Sequence, residues 1–328
     1  MAKTTYLVKR TGQTVLLLWL VITGLFFLFR LMPGDFTQIM LFQGADPETV
    51  AQFEEEWGLN DPLYVQYYRY MVNFVTLDAG MSVQYRVPVI EYVKMRIFNS
   101  VILIAPAITF AYLLGSIIGI IIGSNRGSKI EEYGIVPIIL VGSVPSFVLG
   151  VFAIVIFSGQ MNLFPSSGMY GVRDVDLTHW WSPYVTKDFV WHWTLPFIVI
   201  VMRYTFIPML IMRTSVVETM GGDFIEYKKV AGVPKMQRMF SIAKHSSLPV
   251  ITLYPITLTQ AIGGLVLVEV VFNWPGIGAA LVAAVFARDY PVIQFIFFLI
   301  AATIIIANFI VDIIYGMIDP RVSVEGNE

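Results

Sequence analysis

The sequence predicts an all-α membrane protein with six transmembrane helices and both termini on the cytoplasmic side. Three observations carry this prediction. Of 328 residues, 57% are apolar and 13% charged, with a mean hydropathy of +0.73, whereas soluble domains carry about a quarter charged residues. Apolar windows long enough to cross ~30 Å of hydrocarbon appear at about 13–31, 97–123, 135–158, 192–212, 250–272 and 291–317. With these spans, Lys3, Lys9, Arg10, Arg126, Lys129, Arg213, Lys228, Lys229, Lys235, Arg238, Lys244 and Arg321 all fall on one side, as the positive-inside rule requires of the cytoplasm. Cysteine is absent and the three histidines, His179, His192 and His245, lie far apart. That excludes a disulfide scaffold, a thiolate metal site and a local histidine metal motif. A net charge of -2 gives no basic footprint for nucleic acid.

Taken in order, residues 1–31 form a short cytoplasmic end and the first span. Lys3, Lys9 and Arg10 precede an apolar stretch that could pass for a secretory signal. Only Arg30-Leu-Met-Pro-Gly34 follows, with no small-residue cleavage site, so the span reads as uncleaved. Residues 32–96 form an external segment in which acids outnumber bases. Asp46-Pro47 and Asp61-Pro62 each set an N-cap acid before a first-turn proline, and Gly58 closes the first of two short helices. The second, from Pro62 to about Thr76, carries Tyr64, Tyr67, Tyr68, Met71 and Val75 as a stripe suited to the membrane face.

Residues 97–318 are the five-helix core. The second span, Ile97 to Gly123, would be ~40 Å long at ~1.5 Å per residue and should tilt or protrude. Pro106, Pro137, Pro145, Pro196, Pro208 and Pro255 interrupt spans two to five and supply kinks. In Ser143-Val-Pro-Ser-Phe147 two hydroxyls flank such a kink, where they can satisfy freed carbonyls or meet a polar solute. Ser143, Pro145 and Ser146 are therefore expected on the translocation path. Arg203 and Glu269 are expected either on that path or as a pair across spans four and five. Asn308 and Asp312, one turn apart, read as interhelix glue. Trp180, Trp181, Trp191 and Trp193 suit an interfacial belt. Residues 274–290 are too short to span and read as a re-entrant or interfacial external helix. Residues 319–328 form a cytoplasmic tail.

Between spans four and five, residues 214–248 form the longest cytoplasmic stretch. Asp223 can cap a helix reaching Ala231, Gly232 suits a left-handed C′ position and Pro234 suits the first turn of a second helix. Met236, Met239, Phe240 and Ala243 line one face of that second helix, and Leu248-Pro249 starts the fifth span. The physics alone fits two roles for this helix pair: an amphipathic element on lipid headgroups, or a lever gripped by another protein.

The run Asp223-Phe-Ile-Glu226-Tyr-Lys-Lys-Val-Ala-Gly232, followed by Leu248-Pro249, resembles the EAA loop of binding-protein-dependent ABC transporter permeases. More narrowly it resembles the oligopeptide, dipeptide and nickel branch, although Tyr227 and Lys228 stand where two alanines are usual. Leu31-Met-Pro-Gly-Asp35, Trp57-Gly-Leu-Asn-Asp-Pro62, Ser143-Val-Pro-Ser-Phe147, Phe272-Asn-Trp-Pro-Gly-Ile-Gly278, Ala287-Arg-Asp-Tyr-Pro291 and Asp319-Pro-Arg321 resemble further segments of the family, in the family's order. The large external segment points to the first of two paired permeases.

The resemblance implies a permease subunit of an ATP-driven importer in the inner membrane, working by alternating access. Asp223, Glu226, Lys229, Gly232, Val233 and Pro234 would form the contact with the ATPase. The partners implied are a second homologous permease, two ATP-binding subunits that hold ATP and Mg, and a solute-binding protein, within a lipid bilayer and without nucleic acid. The resemblance also suggests an external scoop at 274–290, and short peptides as solute, with β-linked oligosaccharides and nickel chelates as the branch's other cargoes. The chain lacks a GxxxxGK[ST] loop and cannot itself cradle ATP phosphates. An ion-gradient transporter built of two inverted triplets is the alternative, but no self-similarity between halves supports it. An intramembrane enzyme would need a framed serine and histidine, and His192 stands in no such motif.

Overall fold

The computed structural model describes residues 2–31, 41, 47–171 and 179–318. The described residues are helical throughout their regular structure, with one isolated bridge between Met81 and Pro88. In chain order the helices are α1 (Ala2–Arg30), α2 (Pro47–Trp57), α3 (Leu63–Thr76), α4 (Val89–Ser124), α5 (Lys129–Ser143) and α6 (Ser146–Ala153). They continue with α7 (Lys187–Tyr204), α8 (Phe206–Met220), α9 (Asp223–Val230), α10 (Lys235–Val271), α11 (Ile277–Ala287) and α12 (Tyr290–Ile318). Five stretches among the described residues are long and apolar enough to cross a membrane: Tyr6–Arg30, Val89–Ser124, Lys187–Met220, Lys235–Val271 and Tyr290–Ile313.

A sixth crossing exists only if α5 and α6 count together, because Lys129–Ser143 and Ser146–Gln160 meet at 99°. The kink expected at Pro145 within the third span at 135–158 is therefore present, as a full break of the helix. Val144 is extended at φ -75 and ψ 135, the conformation a following proline imposes, and Pro145 has no N–H to continue the ladder. After Ala153 the chain widens into a π turn, Ile154–Gln160.

The chain divides into two compact units, residues 1–98 with 280–328 and residues 99–279. In the first unit α1 lies antiparallel to α12. Arg10 pairs with Asp312 at 3.1 Å and the Tyr6 hydroxyl donates to the Asp312 carbonyl at one end, while Phe29 meets the Tyr290 ring at 6.0 Å at the other. The start of α1 and the end of α12 therefore share one end of the pair, and Asp312 is glue, as its place in the sequence suggests. Asn308 is exposed. On α3 the buried side chains are Gln66, Tyr70 and Phe74, which leaves Tyr64, Tyr68 and Val75 on the outer face. Asp61 does not cap α3. It binds Arg69 at 3.0 Å, and Pro62 takes the cap position. Gly58 does end α2. Asp46, Pro33 to Asp35 and the tail from Asp319 lie outside the described residues.

In the second unit α4 carries Gly115, Gly119 and Gly123 at every fourth position. A Cβ on Gly115 or Gly119 would lie within 2.6 Å of the carbonyl of Thr205 or Met209 on the α7–α8 strand of chain. Such small-residue seams let helix backbones meet closely where lipid offers no hydrophobic drive to pack. Across α4 and α10 the Tyr112 hydroxyl lies 2.5 Å from the Thr257 hydroxyl, and Thr109 lies 2.8 Å from Tyr254. Trp193 stacks on Phe197 at 4.1 Å and donates to the Ile102 carbonyl, whereas Trp180, Trp181 and Trp191 remain exposed.

Candidate functional site

The loop between the fourth and fifth spans is built by local capping. Gly222 holds the N-cap position of α9 and Asp223 begins the helix, so the expected side-chain cap by Asp223 is not made. Asp223 and Glu226 both lie in the first turn, where they oppose the positive helix end, and Lys228 and Lys229 complement the last turn. At the exit, the Val233 N–H donates to the Lys228 carbonyl at 3.0 Å and the Gly232 N–H to the Lys229 carbonyl at 3.2 Å. That pair of bonds is a Schellman closure, and it needs a left-handed residue at C′. Gly232, at φ +75, supplies it as expected. Pro234 falls at the N-cap position of α10, one residue before the first turn.

The second helix of the loop and the fifth span are one helix. α10 runs unbroken from Lys235 to Val271 with Pro249 and Pro255 inside it, so the expected helix start at Pro249 is corrected. An interior proline costs about 3 kcal/mol of helix propensity. Here packing offsets that cost: Ile242, Ser246 and Val250 on either side of Pro249 are buried, and Ser246 bonds the Thr219 hydroxyl at 3.0 Å.

The apolar stripe expected on this helix is split between two faces. Met239 and Ala243 turn toward the chain, whereas Met236 and Phe240 are 80% and 73% exposed, alongside Tyr227 at 74% and Val230 at 82%. Between α9 and α10 a cleft of about 260 Å³ is rimmed by Glu226, Lys229, Lys235 and Arg238 over a floor that includes Ile225 and Met239. Lys228 turns away from it, donating to Ser241 at 2.6 Å and lying over the Phe224 ring. Glu226 and Lys229 thus share one rim with Arg238, and Gly232, Val233 and Pro234 form the corner that sets the angle between the helices.

At the opposite end of α10, Glu269 is fully buried. Its carboxylate accepts the Ser100 hydroxyl at 2.5 Å and the N–H groups of Gly278 and Ala279 at 2.7 and 3.0 Å. It does not meet Arg203, and among the described residues neither takes part in an ion pair. The expected pair across spans four and five is therefore corrected: the first-turn N–H groups of α11 and the Ser100 hydroxyl satisfy the carboxylate oxygens in place of a cation. Arg203 lies with its guanidinium 5.4 Å from the rings of Tyr204 and Phe206, and its Nη1 is buried without a hydrogen-bond partner among the described residues. Ser143 donates to the Ile139 carbonyl at 2.7 Å, a carbonyl one turn before the break, while Pro145 caps α6 and Ser146 opens it half-buried.

Two features went unread in the sequence. The Gly115-x-x-x-Gly119-x-x-x-Gly123 seam was visible as a small-residue repeat. The contact of Arg213 with Glu131, whose Nε lies 2.9 Å from Oε1, joins residues too far apart in sequence to leave a signal.

Residues 115–324 match the family of binding-protein-dependent transport system inner membrane components, and residues 3–92 match its N-terminal part. The chain belongs to that family. It is 32% identical over 334 residues to the dipeptide transport system permease protein DppB of Escherichia coli, covering 97% of this chain and 98% of the relative. It is 29% identical over 327 residues to the oligopeptide transport system permease protein AppB of Bacillus subtilis, and 30% identical over 321 residues to the glutathione transport system permease protein GsiC of Salmonella paratyphi A. Each of these matches also covers 97% of this chain and 98% of the relative. This permease is accordingly a multi-pass inner-membrane subunit of an ATP-driven importer and not an enzyme. ATPase and solute-binding proteins are its partners. The importer reading displaces the ion-gradient transporter.

Proposed function

We propose that this permease moves short peptides into the cytoplasm by alternating access, side by side with a second homologous permease and above two ATP-binding subunits. The names of its relatives, which transport oligopeptides, dipeptides and glutathione, support peptides as the cargo. Both termini and the 214–248 loop lie in the cytoplasm on this reading, and the segment before α4 faces the binding protein.

One observation carries the coupling assignment. Tyr227, Val230, Met236 and Phe240 stand exposed on a helix pair whose corner is rigidly capped. A patch of large apolar side chains on a water-facing loop marks a surface that another molecule covers. The ATPase is that molecule: α9 enters it, Asp223, Glu226 and Lys229 meet its polar groups, and Gly232, Val233 and Pro234 pass its movement to α10. Nothing on this chain performs covalent chemistry. Ser143, Pro145, Ser146 and Arg203 line the path, with the break at Pro145 giving it a polar wall and Arg203 offering a cation to the peptide.

Gly232→Pro tests the lever. Proline cannot adopt φ +75 and removes the N–H that closes α9. Peptide uptake in proteoliposomes is expected to fall at least tenfold while the assembled complex still hydrolyses ATP. Uptake coupled to hydrolysis as in the parent protein would refute the assignment.

A further inference from the structure

We propose that Glu269 is the positioning residue that makes α11 follow the coupling loop. The inference rests on the lever reading above and names where the lever ends.

A helix leaves its first N–H groups without intrahelical partners. In α11 the first three are taken by side chains from two other helices. The Ile277 N–H donates to the Ser100 hydroxyl of α4 at 2.8 Å, and the Gly278 and Ala279 N–H groups donate to Glu269 of α10. Ser100 in turn donates to the other Glu269 oxygen. The three N–H bonds join α11 to α4 and α10, the fourth joins α4 to α10, and none is local to α11.

The surrounding sequence is built to admit the carboxylate. A Cβ on Gly276 would overlap the Glu269 carboxylate, and a Cβ on Gly278 would lie 2.5 Å from the Val266 Cα. The preceding turn is pinned as well. The buried Trp274 indole donates to the Asn99 carbonyl at 2.8 Å, and the Asn99 amide donates to the Pro275 carbonyl at 2.8 Å. The Tyr184 hydroxyl donates to Asn99 at 2.6 Å, and burial raises its pKa, which keeps the phenol a donor.

The other end of α10 is the rim of the cytoplasmic cleft, at Lys235 and Arg238. Its 37 residues span ~55 Å at ~1.5 Å per residue. Two prolines interrupt its hydrogen bonding, but the hydroxyl pairs Tyr112–Thr257 and Thr109–Tyr254 tie its middle to α4. Movement of the loop therefore displaces α10 and α4 together, and the relay at Ser100 and Glu269 carries the first turn of α11 with them. A carboxylate serves because its two oxygens accept three bonds at once in a dry site.

The experiment uses the complete transporter in lipid nanodiscs, with accessible partner cysteines replaced. A nitroxide is attached through Gln237→Cys near the loop or through Phe286→Cys on α11, both exposed positions. In the parent protein both labels are expected to change line shape between the nucleotide-free and the ATP-vanadate states. In Glu269→Ala the Gln237 label should still respond, the Phe286 label should lose at least half its response, and uptake should fall at least tenfold with ATP hydrolysis retained. Glu269→Gln, whose amide oxygen can accept both N–H groups, should restore most of the Phe286 response.

An unaltered Phe286 response in Glu269→Ala, or a Glu269→Gln as defective as Glu269→Ala, would overturn the proposal. If Glu269→Ala does not assemble, Ser100→Ala makes the same comparison, with at least a halved response expected and an unchanged one overturning it. Silence of the Gln237 label in the parent protein would instead remove the lever reading, and the positioning role with it.

Discussion

Asp289→Ala should release the loop at 78–88. Asp289 and Ser82 are both essentially without exposed surface, and the carboxylate accepts the Ser82 hydroxyl at 2.5 Å and the Val83 and Gln84 N–H groups at 3.3 and 3.2 Å. A buried hydrogen bond to a charged acceptor contributes about 1.5–3 kcal/mol, and the two longer bonds, which keep solvent contact, about 0.5 kcal/mol each. Local opening should therefore become easier by about 2.5–4 kcal/mol, or roughly 60- to 700-fold at tenfold per ~1.4 kcal/mol. Arg86 sits exposed in this loop at φ 54 and is a tryptic site. When opening is fast relative to cleavage, the cutting rate follows the open population. The assay is timed trypsin digestion of the purified complex, with the fragment ending at Arg86 followed by mass spectrometry. Ser82→Ala should cost less on top of Asp289→Ala than it does alone, because both changes remove the Ser82–Asp289 bond and only the Tyr85 N–H bond to the Ser82 oxygen, at 2.9 Å, is lost in addition. Cleavage within threefold of the parent rate, or fully additive effects, would refute the reasoning.

Two further outcomes follow from the same geometry. Gly278→Ala places a methyl group 2.5 Å from the Val266 Cα and against Glu269, so complex recovered from membranes should drop severalfold, and normal recovery with normal uptake would contradict the packing. Ser146→Cys, in a chain free of cysteine, should react with a water-soluble maleimide in at least one nucleotide state, and protection in every state would take Ser146 off the path.

The helices were legible because their signals are local. Apolar windows near 20 residues, a glycine at Gly232 and the lysines near the end of α9 each declare a span, a stop or a side of the membrane within one or two turns. The resemblance to importer permeases was legible for the same reason, since its motifs are contiguous runs. Asp223 and Pro234 were misplaced by a single residue, the difference between a cap and a first turn, which depends on backbone angles that composition does not specify.

What tertiary structure decided was the choice of partner for each buried polar group. From sequence, Glu269 and Arg203 were two opposite charges on neighbouring spans, and pairing them was the simplest neutralisation. The fold brings the α11 N-terminus to Glu269 first, and the carboxylate is satisfied by dipoles and a hydroxyl 169 residues away in the chain. The proline signals behaved in the same way. Pro145 breaks its helix by 99° while Pro249 and Pro255 ride inside α10. Each removes one helical hydrogen bond, so the difference lies in whether neighbouring helices pack the interrupted backbone into a continuous rod. Local chemistry determines where a helix can form, and long-range packing determines whether it continues and what its buried charges meet.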